Sequence, residues 1–126
     1  MMDERNDEIL AERVIGAAIA VHRELGAGFA ESTYERALSV ELNFQSTPHQ
    51  SQVPVSLRYR DQTIGDGRLD LLIQDRIIVE LKAVDTLHPA HTRQLTSYLK
   101  ATGLHYGLLI NFNHPTLVEG VKRVLN

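Results

Sequence analysis

The stretch Gly67 to Val84, GRLDLLIQDRIIVELKAV, sets three charges inside the most apolar part of the chain. Its density of Leu, Ile and Val predicts two strands, Leu69–Ile73 and Ile77–Ala83, buried on both faces and joined by a tight turn. Asp70, Glu80 and Lys82 interrupt those apolar runs. Burying an ion costs several kcal/mol unless a partner or a metal compensates. Any fold built on this hairpin must therefore find a use for these three side chains.

Strand alternation projects Glu80 and Lys82 to one face, with Val79, Leu81 and Ala83 on the other. A turn made of Gln74, Asp75 and Arg76 faces Ile73 with Ile77 and, counting outward, Asp70 with Glu80. A turn one residue shorter slips the register and sets Asp70 against Leu81. In the first register two carboxylates and an ammonium converge on one patch. Adjacent carboxylates repel unless a proton or a cation lies between them. Two readings stay open on these residues alone. One is a structural ion-pair cluster at a sheet end. The other is a site for a hard divalent cation such as Mg²⁺, with oxygen ligands and retained waters, and with Lys82 beside it to orient a water or stabilise developing charge.

The rest of the chain supplies a frame for this hairpin. Leu10, Val14, Ala17, Val21 and Leu25 recur at helical spacing and predict a helix over Asp3–Leu25, stopped by Gly26 and Gly28. His22 lies on it, a packed or surface histidine unless it serves as a ligand or base. A second helix is predicted over Ala30–Phe44, with Glu31, Tyr34 and Leu38 on one face. An acidic residue in a first turn suits the helix dipole, which by itself accounts for Glu31. Gln45–Gln52 reads as a loop and Val53–Arg60 as a strand. Asp61 and Gln62 form a turn, and Thr63 and Ile64 begin a short return that Gly65-Asp66-Gly67 punctuates. After the hairpin, a helix is expected over Pro89–Thr102, with Gln94 and Tyr98 four apart on one face. A buried strand follows at His105–Asn111, then a short closing helix at Leu117–Leu125. The expected fold is a single α/β domain of the α+β type over residues 1–126, a mixed sheet flanked by helices.

Composition narrows the chemistry. With no cysteine in 126 residues, disulfides, thiolate zinc sites and iron–sulfur clusters are excluded. No apolar run reaches the ~18 residues of a membrane helix, and the acidic start MMDERNDEIL lacks the layout of a signal peptide. A cytoplasmic protein with no membrane partner is expected. The net charge of −3 is divided unevenly. Residues 1–45 hold nine acidic and four basic side chains, and residues 46–126 hold seven and nine. The candidate site thus lies in the mildly basic half, which favours a polyanionic substrate.

Gly28-Phe-Ala-Glu31-Ser-Thr-Tyr34 resembles the signature of the GxxExxY protein family, within the PD-(D/E)xK nuclease superfamily. The resemblance spans nearly the whole chain. Val21–Gly26 resembles the segment before the signature. Asp70 with Glu80-Leu81-Lys82 resembles the superfamily's catalytic core. Gln94-Leu-Thr-Ser-Tyr98 resembles the QxxxY motif of its recombination-exonuclease branch, and Gly107–Phe112 the strand that follows. Leu69 stands where that superfamily often has proline. The resemblance implies a restriction-endonuclease-like fold and Mg²⁺ or Mn²⁺ held by Asp70, Glu80 and the Leu81 carbonyl. It further implies a catalytic Lys82, and Glu31 near the metal or its water. Gln94, Tyr98 and Tyr34 would border the nucleic acid. The histidine ligand of related exonucleases has no clear counterpart, with His22 the residue to test.

The leading expectation is a metal-dependent nuclease acting on DNA or on RNA. Two rivals are a nucleic-acid-binding module without turnover and a protein adaptor using the acidic N-terminal half. A homodimer is compatible with so small a domain holding a duplex.

Overall fold

The computed structural model describes residues 4–126. Its elements are α1 (Glu4–Leu25), α2 (Glu31–Phe44), β1 (His49–Tyr59), β2 (Gln62–Ile73), β3 (Ile77–Lys82), α3 (Pro89–Thr102), β4 (Tyr106–Asn111) and β5 (Val121–Leu125). Asp3, the predicted start of the first helix, lies outside the described residues. The strands lie in sequence order in one sheet. β3 and β4 run parallel, and every other neighbouring pair is antiparallel.

The sheet separates two cores. Val79, Leu81, Leu108 and Ile110 pack with α1 and α2 on one face, while Ile78 and Leu109 pack with Leu95 and Leu99 of α3 on the other. β3 and β4 are therefore covered on both faces, which is why their sequences are nearly continuous apolar runs. This is the α+β, restriction-endonuclease-like arrangement expected from the sequence.

Three boundaries differ from expectation. The closing segment is not a helix: Leu117–Gly120 makes one 3-10 turn and Val121–Leu125 is a strand. Gly120 disfavours a helix interior, and a Cβ there would meet the Asn111 carbonyl oxygen at 2.6 Å. The strand also covers the open edge of β4, a gain invisible to local spacing. The predicted loop Gln45–Gln52 ends early, because β1 begins at His49, where His49, Gln50 and Ser51 pair with Ile73, Leu72 and Leu71. Finally, β2 is continuous from Gln62, and the turn before it is Arg60-Asp61, both left-handed.

The central turn is Gln74–Arg76, with Ile73 opposite Ile77. Gln74 and Asp75 are left-handed, at φ 51° and 56°, and the Arg76 N–H closes the turn on the Ile73 carbonyl at 2.9 Å. Two successive positive φ values match the twist that hairpin strands require. Arg76 also pairs with Asp7 of α1 at 2.6 Å, tying the turn to the first helix.

Candidate metal and nuclease site

That register carries Asp70 to Glu80. Their ladder is completed by side chains: the Asp70 N–H donates to Glu80 Oε1 at 3.3 Å, and the Leu81 N–H donates to Asp70 Oδ2 at 2.8 Å. Glu80 is buried, with 5% of its surface exposed, and Asp70 is half-buried. Burial first, and the charge of Asp70 second, push the Glu80 carboxyl up to about 8, although Lys82 pulls it down. Near neutral pH the pair thus retains a proton where a cation would relieve the same repulsion.

Lys82 closes β3, half-buried and in register with Asn111 of β4. Its carbonyl accepts the Phe112 N–H at 2.9 Å. The Asn111 side chain, 2% exposed, then clamps the chain beyond Lys82. It donates to the Val84 carbonyl at 2.9 Å and accepts the Val84 N–H at 3.1 Å. No carboxylate lies within ion-pair distance of the Lys82 ammonium among the described residues. Its charge reaches Glu80 and also His91 at the start of α3, where burial and then Lys82 lower the imidazole's affinity for protons.

On α2 the field of Asp70 reaches Glu35. Burial, and further along the Asp70 charge, raise its carboxyl, while a hydrogen bond from Gln52 of β1 opposes them. Glu31 lies one turn earlier, exposed, and its field reaches His91. Sequence reasoning passed over Glu35 and His91. Glu35 lies four residues after Glu31 and next to the core residue Tyr34, so helical spacing could have found it. For His91 the only signal was its place in the first turn of the helix opening at Pro89.

Tyr34 requires a correction. It is fully buried, stacked on Phe112 with ring centroids 4.5 Å apart, so direct contact with a substrate is sterically closed. Its hydroxyl donates to the Gly26 carbonyl at 2.6 Å and accepts the Phe29 N–H at 3.2 Å. Gly28 sits at φ 110°, a conformation that favours glycine. Gly28 and Tyr34 thus shape the α1–α2 connection. Tyr98 is half-buried and lies over Gly67, where a Cβ would meet its ring at 2.6 Å, and Gln94 is exposed on α3. His22 Nε2 is engaged by the His114 carbonyl at 3.0 Å.

Among the described residues no three His, Asp or Glu side chains are grouped so as to hold an ion by themselves. An ion here would rest on two carboxylates and complete its shell with backbone, water and substrate oxygens, a donor set that suits Mg²⁺ or Mn²⁺.

A family model described as the PD-(D/E)XK nuclease superfamily matches residues 8–124. The chain belongs to this superfamily. PD-(D/E)XK proteins are generally hydrolytic nucleases that typically use divalent metals, which implies nuclease-type chemistry on a nucleic acid. No curated protein and no solved structure matches the chain. No helix among the described residues is long and apolar enough to cross a membrane.

Proposed function

We propose that this protein is a Mg²⁺- or Mn²⁺-dependent nuclease hydrolysing phosphodiester bonds, with DNA as the preferred substrate, and that it is a member of the GxxExxY branch. The observation that carries the reading is buried Glu80 set against half-buried Asp70, a repulsion that a cation would relieve in place of a proton. Asp70 and Glu80 hold the ion, which when bound polarises the scissile phosphate and lowers the pKa of water. The Leu81 carbonyl assists, since a strand residue's N–H and C=O point to the same side and its N–H already points at Asp70. Lys82, with no carboxylate within ion-pair distance among the described residues, neutralises charge that develops on the phosphate oxygens. Glu31 and Glu35, one turn apart on α2, would stand beside the ion, where Glu35 would accept a hydrogen bond from its water. Gln94 borders the nucleic acid. Tyr98 serves it by packing against Gly67.

Asp70→Ala and Lys82→Ala should each lower Mn²⁺-dependent cleavage of single- and double-stranded DNA by roughly 100-fold or more, the scale of losing one preorganised electrostatic group. Circular dichroism should show both variants folded. Cleavage at the wild-type rate by either folded variant would sink the assignment.

A further inference from the structure

β1 and β2 both change face at one point. His49 bonds to Ser39 of α2 at 2.6 Å, yet Val53 and Val55, which strict alternation would place on the same side, pack in the α3 core. On β2, Leu71 packs with α1 and α2 while Leu69 packs with α3. The residues at the crossing are Gln52 and Asp70, opposite each other between the pairs Ser51–Leu71 and Val53–Leu69. Gln52 makes the crossing with a left-handed backbone, φ 53°, rare for a residue with a side chain. Its amide donates to Glu35 Oε1 at 2.6 Å.

Strain of this kind persists only where the surroundings impose it. Here it occurs at the partner position of Asp70, and the strained residue ties that position to the Glu35 carboxylate of α2. We infer that Gln52 is a positioning residue: its left-handed turn and its bond to Glu35 hold that carboxylate against the Asp70 side of the metal site. The inference rests on the nuclease reading above and adds to it a residue on the edge strand that touches no reacting atom.

The test is Mn²⁺ titration by calorimetry with a short phosphorothioate DNA duplex present, beside the melting temperature of the metal-free protein. Gln52→Gly suits the left-handed backbone and removes the donor. Gln52→Asn tolerates that backbone but leaves the amide one carbon short. Both should keep or raise the melting temperature and lose roughly tenfold in Mn²⁺ affinity, as losses of supporting hydrogen bonds do. Glu35→Gln should lose a similar factor, and adding Gln52→Gly to it should cost nothing more, since the two act as one unit. Wild-type affinity in Gln52→Gly and Gln52→Asn, with Asp70→Ala unable to bind, would overturn the inference and leave the nuclease reading standing. Additive losses in the double variant would overturn it too. A wild type that takes up no Mn²⁺ even with the duplex present would remove both.

Discussion

Two charged clusters lie at opposite ends of the parallel pair β3 and β4, and they compensate charge in opposite ways. At the start of β4, Glu8 of α1 meets Arg123 of β5 through two hydrogen bonds, at 3.0 and 2.8 Å, and accepts a third from the Tyr106 hydroxyl. Arg123 first, then Tyr106, hold the Glu8 carboxyl below its usual range. At the other end, Asp70 and Glu80 face each other and Glu80 is driven up to about 8. The first cluster is complete within the protein. The second sets two carboxylates against each other and relieves their repulsion by keeping a proton, with Lys82 near. The ion-pair reading that Asp70, Glu80 and Lys82 left open in the sequence is thus what Glu8 and Arg123 look like, and the central hairpin is different in kind.

The largest expected effect sharpens this contrast through pH. An unfolded Glu80 loses its proton near 4.5, while the folded one keeps it until about 8. Between those values the folded state binds more protons, so metal-free stability falls as pH rises through the window and stays low above it. Glu80→Gln removes the slope. It should stabilise the metal-free protein by roughly 2–4 kcal/mol more at pH 8 than at pH 5, read from urea unfolding at both values. An equal effect at the two pH values would mean that Glu80 is a satisfied structural acid, as Glu8 is.

A smaller effect belongs to the clamp beside Lys82. Asn111→Ala strands the Val84 N–H and carbonyl in a half-buried position and should cost about 1–3 kcal/mol. It should also slow Mn²⁺-dependent cleavage, because Lys82 then closes a frayed strand. Unchanged cleavage in a destabilised variant would show that the clamp serves stability alone.

The smallest effect tests the other cluster. Glu8 and Arg123 are each about two-fifths exposed, so their bridge resembles a surface pair. Arg123→Gln should cost less than about 1 kcal/mol, by an amount that shrinks in high salt, and leave cleavage untouched. A large loss of cleavage would undo the division between the two ends.

The hairpin was legible because its signals are local. Apolar runs and turn residues predict the two strands and narrow Asp70 to a partner at Glu80 or Leu81, and the three-residue turn Gln74–Arg76 selects Glu80. The helices α1 and α3 were legible for the same reason, since their apolar spacing repeats over several turns. Glu35 was not, because its importance comes from Gln52 and Asp70, seventeen and thirty-five residues away. Tyr34 was misread as a substrate contact because burial of its ring depends on Phe112, just past the end of β4 and more than half the chain away.

By itself, the order of residues determined the central hairpin and the three charges set into it, since each follows from neighbours two to ten positions apart, while the turn geometry seen in the structure chose between the two registers. Tertiary structure alone decided that Val121–Leu125 covers the edge of β4, that β1 begins at His49, and that both strands change face at Gln52 and Asp70. Those choices depend on hydrogen bonds and packing between segments distant in the chain. Local propensity there is weak or opposed, so the energy of the assembled sheet prevails.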